Sequence, residues 1–253
     1  MTIRTPSLAA LYDIHGNLPA LNAVLAEVRS LGVETVVVGG DIVAGPMPVE
    51  TLEVLRDRRG VMAIRGNADR ELLDGSPAPR DERAERAWAW TAERLSSRHR
   101  AWLAGLPASL TIEAGRLGPV LFCHGSPRSD EEIITRISPD DRVSAMLSEV
   151  AEAVVVCGHT HVQFDRTIDG RRVINAGSVG LPYQDRPGAY WALLSDDVEL
   201  RRTLYDLDGA AELIGATGFP GAAQVAETLR NPPTSEEASV HFETAAGRSG
   251  ENG

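Results

Sequence analysis

Five short polar clusters follow apolar runs along this chain: DIHGN at 13–17, GGD ending at Asp41, RGNAD at 65–69, CHG around His124 and CGHTH at 157–161. Between them they gather Asp13, His15, Asp41, Asn67, His124, His159 and His161. Carboxylate, imidazole and amide groups are donors for divalent cations. Seven of them, with a bridging carboxylate and a bridging water, are about what two neighbouring ions need. Four of the six histidines lie inside the clusters, so a histidine-rich composition does not produce the pattern. Taken singly, Asp13 and Asn17 read as helix caps, Asn67 as a turn residue and His124 as a core histidine. Taken jointly, in this order and each with a glycine beside it, they point to a metal centre. Nitrogen and oxygen donors without a cysteine ligand suit Mn, Fe, Zn, Ni, Co or Mg better than a soft metal.

The elements that must position these groups alternate between strand, donor-bearing turn and helix. Apolar runs predict strands at Leu8 to Tyr12, Thr35 to Val38, Val61 to Ile64, Val120 to Cys123, Val154 to Cys157 and Arg172 to Ile174, the last leading into NAGSVG. After Asn17, Leu21, Val24, Leu25, Val28 and Leu31 repeat at helical spacing between Pro19 and Gly32, and a second helix is predicted around Pro48 to Arg58. Asp13 and His15, read as an extended segment, point to the same side of the chain. Alternating strands and helices with donors at strand carboxyl ends give an α/β fold. Glycines 16, 40, 66, 125 and 158 let the backbone turn beside each donor.

The series D-x-H, G-D, G-N, H, G-H-x-H, running from Asp13 to about Gly180, resembles the calcineurin-like metallophosphoesterase superfamily, and within it the small prokaryotic branch with GN-x-D at the third motif. The resemblance implies a two-sheet sandwich flanked by helices. It also implies two divalent ions, Mn(II) favoured, with Asp13, His15 and His161 around one, Asn67, His124 and His159 around the other, and Asp41 bridging. The implied activity is hydrolysis of a small phosphate ester, diester or nucleotide anhydride by direct attack of a metal-bridging hydroxide, Asn67 steadying the phosphoryl oxygens. A protein serine/threonine phosphatase and a non-catalytic metal-binding scaffold of the same fold are the alternatives. Many relatives carry a histidine after the GN of the third motif, where this chain has Ala68. Alanine cannot protonate a leaving oxygen, which shifts expectation towards anhydrides and activated esters that depart without a proton. Asp69 is a candidate donor or, preferably, an orienting group. Arg65, Arg70 and Arg128, beside the motifs, read as candidate phosphate contacts or equally as solvated or locally salt-bridged arginines, and Ser178 as a hydroxyl near the site or equally as part of a tight turn after a strand.

The 253 residues are 43% hydrophobic, enough for one large core, and the expected domain spans 1–230. Residues 74–107, charged and holding Trp88, Trp90 and Trp102, form a predicted helical insertion: a partial cap over the site or, preferably, an outer layer with its tryptophans in the core. Residues 231–253 are polar and lack a period, so the expectation is a disordered tail in which His241 is a solvated bystander. Cys123 and Cys157 are expected as reduced core thiols. The absence of a long apolar run predicts a soluble cytoplasmic protein. A net charge of -11 disfavours nucleic acid and anionic membranes as partners, leaving a small phosphorylated substrate. No oligomeric state is indicated.

Overall fold

The computed structural model describes residues 3–75 and 81–250. Residues 76–80 of the expected insertion, 251–253 of the expected tail, and Met1 and Thr2 lie outside the described residues. Two sheets pack face to face. One has the order β1 (Ile3–Thr5), β5 (Ser109–Ala114), β6 (Gly118–Cys123), β7 (Val154–Cys157), β9 (Arg171–Asn175), β8 (Phe164–Ile168). The other runs β11 (Val198–Thr203), β10 (Ala189–Leu194), β2 (Leu8–Leu11), β3 (Thr35–Val38), β4 (Val61–Ala63). Strands β2, β3 and β4 are mutually parallel, as are β6, β7 and β9.

Alternate strand residues point to opposite faces, and both faces of the central strands are covered. Leu8, Ala10 and Val37 meet Phe122, Val154, Val156 and Ile174 between the sheets. Their neighbours Ala9, Leu11, Val36 and Val38 turn outward onto α1 (Leu18–Ser30) and α2 (Pro48–Asp57), which bring Leu21, Val24, Leu52 and Leu55. On the far side Val155, Cys157 and Val173 pack on Val143 and Met146 of α6 (Asp140–Met146). This double burial explains why the strands read as unbroken apolar runs. Both cysteines are buried and free. No helix among the described residues is long and apolar enough to cross a membrane.

α3 (Asn67–Asp74), which carries the third motif, ends where the expected insertion begins, and the insertion holds α4 (Glu82–Arg94) and α5 (Ser97–Ala104). Trp88 and Trp102 pack against the outer core, while Trp90 lies under the Arg94 guanidinium and against the edge of Phe219. The tail expectation is corrected. After α7 (Leu207–Ala216) and α8 (Ala222–Arg230), residues Ser235–Gly250 form a helix, α9. Its start is a reciprocal cap: Thr234 Oγ1 accepts from the Glu237 amide, and the Glu237 carboxylate accepts from the Thr234 amide. Its body is held by polar contacts, with Glu243 accepting from Arg142, Thr135 and Ser138, and therefore shows no apolar stripe. His241 within it is exposed.

Candidate metal centre

The carboxyl ends of β2, β3 and β4 in one sheet meet those of β6 and β7 in the other, and the five clusters converge there. Asp13, Asp41, His124 and His161 are buried. Two sets of donor atoms, each within 4.8 Å of one another, share Asp13: Asp13 with His15 and His161, and Asp13 with Asp41 and His124. The Asp41 carboxylate spans both, with Oδ2 3.7 Å from His15 Nε2 and Oδ1 3.5 Å from His124 Nε2. Asn67 Oδ1 joins the second set, 3.1 Å from His124 Nε2. The His159 ring stands edge-on to His124 at 5.2 Å and lies outside both sets.

The backbone around the donors departs from the sequence expectation. Asp13 and His15 are not extended; they have φ of 52° and 48°, and Asp41, His159 and His161 have 52°, 66° and 58°. Of six non-glycine residues at positive φ among the described residues, five are expected ligands. The left-handed region costs an L-residue roughly 1–2 kcal/mol. Tertiary hydrogen bonds hold it here: the amides of Asp13, His15 and Gly16 donate to the carbonyls of Gly40, Asp41 and Ile42.

Backbone carbonyls also orient the imidazoles. His15 Nδ1 faces Ala44 O at 3.2 Å, His124 Nδ1 faces Gly39 O at 2.8 Å and His161 Nδ1 faces Leu181 O at 2.6 Å. With Nδ1–H donating, each Nε2 is a lone pair turned into the site. The Nε2 atoms of His15 and His161 then confront each other at 3.2 Å, a repulsive pair unless a cation or proton lies between them. Asp13 Oδ1 is buried without a hydrogen-bond partner and faces His161 Nε2 at 3.4 Å. A buried carboxylate oxygen without a hydrogen-bond partner, beside opposed lone pairs, fits a cation.

The protonation pattern agrees. Burial works against charge on His124, yet Asp41 and Asp13 overcome it and lift its pKa to about 10. Burial also opposes charge on His161, and Asp13 raises it nonetheless. Desolvation lowers His15, and desolvation together with neighbouring His124 lowers His159 to about 4. Two buried carboxylates thus draw compensating positive charge into the cluster, a demand that divalent ions meet while displacing those protons.

The remaining expected site residues divide. Glu71 accepts from Asn67 Nδ2 at 3.4 Å, so the amide oxygen faces the cluster. Asp69 is held in an orienting position: Oδ1 accepts from the Ile42 and Val43 amides and Oδ2 from the Gly66 amide, tying the second motif to the third. Desolvation, with repulsion from Asp41, pushes its pKa up to about 7. The Ala68 amide donates to Asp41 Oδ1 at 2.9 Å. Arg70 is paired with Asp130 and Glu131, and Arg128 with Glu132, so neither is free for phosphate. The Arg65 side chain has no hydrogen-bond or ion-pair partner among the described residues. Ser178 Oγ donates to Asp13 O and accepts from the Leu181 amide, a turn role.

Sequence reasoning missed Tyr183, whose ring stacks on His161 at 4.7 Å, and Phe242 of α9, 6.3 Å from both Tyr183 and His159. It also missed Asn175, which donates to Gly158 O and Thr160 Oγ1 and braces the fifth cluster. Isolated aromatics and backbone carbonyls leave no spacing signal.

A family model described as the calcineurin-like phosphoesterase superfamily domain matches residues 7–197. An uncharacterized protein of Methanocaldococcus jannaschii is 28% identical over 236 residues, covering 84% of this chain and 93% of its own. A metallophosphoesterase from Sphaerobacter thermophilus superposes with a TM-score of 0.71 at 25% identity, covering 88% of this chain and 98% of that one. A hypothetical protein of Pyrococcus horikoshii shares the fold with a TM-score of 0.78 at 23% identity, covering 90% and 99%.

Proposed function

Since the chain belongs to the calcineurin-like phosphoesterase superfamily, we propose that it is a two-metal hydrolase of small phosphodiesters and nucleotide anhydrides, with Mn(II) as the working ion. The observation that carries this reading is the buried Asp13 Oδ1, without a hydrogen-bond partner, set among the imidazoles of His15, His124 and His161 where two donor sets meet. Asp13, His15 and His161 would hold one ion, and Asp13, Asp41, His124 and Asn67 the other. When bound, such ions lower the pKa of water and offset negative charge on phosphoryl oxygens.

The chain's own groups do the rest. The carbonyls of Gly39, Ala44 and Leu181 keep the imidazole lone pairs aimed inward, and Glu71 keeps the Asn67 carbonyl on the same point. Arg65, beside the third motif and without a side-chain partner among the described residues, would hold a non-bridging phosphate oxygen. The third motif supplies no acid: Ala68 has no titratable group, and both Asp69 oxygens are bound to amides. Leaving groups that depart as stable anions, such as aryl oxides and phosphates, are therefore favoured over alkoxides. A small substrate, and not a nucleic-acid polymer, suits the acidic chain.

The test is hydrolysis of bis(p-nitrophenyl) phosphate by metal-stripped protein reloaded with Mn(II). Turnover that requires the metal and vanishes in His124→Ala is expected. Two tightly bound ions per chain without turnover on this ester, p-nitrophenyl phosphate or diadenosine tetraphosphate would favour a binding scaffold.

A further inference from the structure

A cavity of about 330 Å³ adjoins the cluster through Leu181 and Tyr183. Tyr183 stacks on the His161 ring and also lines this cavity, which begins one aromatic ring away from an expected metal ligand. Its walls are the first turns of α4, with Arg83, Ala84 and Ala87, and one face of α8, with Gln224, Val225 and Thr228 spaced at helical intervals. Phe219, in edge contact with Trp90, also lines it, and the cavity is open to solvent on the side of Arg83 and Gln224.

We propose that this cavity holds the nucleoside half of a phosphodiester or anhydride whose phosphate lies at the metal cluster. The inference rests on the phosphoesterase reading and adds the substrate class. The volume falls at the lower end of small-molecule sites. Two aromatic rings, Tyr183 and Phe219, supply faces on which a base can stack. The polar groups are unspent: among the described residues, the side chains of Arg83, Gln224 and Thr228 make no hydrogen bond or ion pair with the protein. Gln224 offers a donor and an acceptor side by side, the pattern that reads the edge of a base. Arg83 is a cation without a salt bridge in a chain of net charge -11, placed to meet a second phosphate or the ribose side of a nucleotide. The companion acid Asp81 is engaged as the helix cap, accepting from the Ala84 amide at 2.8 Å.

The experiment compares two esters that release the same p-nitrophenolate, thymidine 5′-monophosphate p-nitrophenyl ester and bis(p-nitrophenyl) phosphate, on the Mn(II)-loaded full chain. Wild type is expected to prefer the nucleoside ester by about tenfold or more in kcat/KM, as stacking of one base implies. Val225→Trp, which narrows the cavity, should bring the ratio to about one, with the melting temperature read alongside because Val225 also packs against the Ala210, Ile214 and Leu229 cluster. Arg83→Glu, on an exposed helix face and safe for folding, should lower the ratio several-fold through KM. Calorimetric titration with thymidine 5′-monophosphate reads the same site without turnover, and binding should weaken in both variants. No preference in wild type, or a preference that survives both substitutions, overturns the inference while leaving the phosphoesterase reading intact. Nucleotide binding that is lost in both variants of a protein hydrolysing neither ester sustains the cavity assignment and removes the phosphoesterase reading.

Discussion

Gly158→Ala should disable the site through a single methyl group. Gly158 lies outside the left-handed region, so the cost of a side chain there is steric. An ideal Cβ would stand 2.6 Å from Asp13 Oδ2 and would also press on the Tyr12 ring. Ordinary contact begins at 3.4 Å, so the carboxylate must retreat by about 0.8 Å or the backbone must give. The backbone is pinned from both sides: the Gly158 amide donates to His124 O at 2.8 Å, and its carbonyl accepts from Asn175 Nδ2 at 2.7 Å. Tyr12 is equally fixed, donating its hydroxyl to Val156 O. The displacement therefore falls on the Tyr12–Asp13 segment as a whole, and Asp13 is the residue common to both donor sets. A misplacement near 1 Å costs roughly 10²-fold in rate, and overpacking costs about 1–3 kcal/mol, or roughly 2–12 °C of melting temperature in a chain of this size. The assay is hydrolysis of bis(p-nitrophenyl) phosphate across a Mn(II) titration, with calorimetry for stability. Gly32→Ala is the control: its φ is +69° and nothing lies within 4 Å of the added atom, so it should cost about 1 kcal/mol and no activity. A Gly158→Ala enzyme keeping more than half of wild-type turnover would refute the steric argument, as would equal losses in the control.

Asp41→Asn and His124→Ala should each abolish metal-dependent turnover and lower bound metal below two ions per chain in a folded protein; full activity in either would remove the ligand assignment. Chelation should lower the melting temperature, since an ion held at 100 times its Kd adds about 2.7 kcal/mol, roughly 5–10 °C per site; a melting temperature indifferent to chelator and Mn(II) would contradict a native-state metal centre. Asp69→Ala strips an acceptor from the amides of Ile42, Val43 and Gly66, each worth about 1–3 kcal/mol when buried and unpaired, so stability should fall sharply and Asp69→Asn should fall less; the order of the two midpoints in urea is the check. Glu243→Ala removes the anchor of α9 on Arg142, Thr135 and Ser138, and hydrogen exchange should rise across 235–247 while the central strands stay protected; unchanged exchange would mean that the helix is held elsewhere.

What could be read from the chain follows from how each feature is encoded. The strands were legible because both faces of β2, β3 and β7 are covered, turning Leu-Ala-Ala-Leu and Val-Val-Val-Cys into apolar runs with sharp ends. The donors were legible because each sits where a run stops. The order of strands across the two sheets was not, since pairings such as β10 with β2 join residues far apart in sequence. The partner of Arg70 was hidden because Asp130 lies 60 residues away, whereas the Arg128–Glu132 pairing at i, i+4 is visible in the sequence. The same holds for α9, whose Thr234 to Glu237 cap is a sequence signature that the search for apolar periodicity passed over.

The conformation of Asp13 and His15 belongs to a different class of failure. Local preference puts an aspartate or a histidine in extended or right-handed backbone, and five of the expected ligands occupy the left-handed region instead. Glycine would take that conformation without cost, yet glycine carries no donor atom, so a residue that must both turn the chain and hold a cation has to bear the strain. The neighbouring glycines relieve crowding only at adjacent positions, as Gly158 does against Asp13. The hydrogen bonds from the amides of Asp13, His15 and Gly16 to the 40–42 segment lock one motif onto another, so the strained geometry is a property of the assembled pair of loops. The places where local rules fail in this chain are thus where two sheets must jointly present donors to one point, and strain concentrated on ligands is itself an argument for the metal centre.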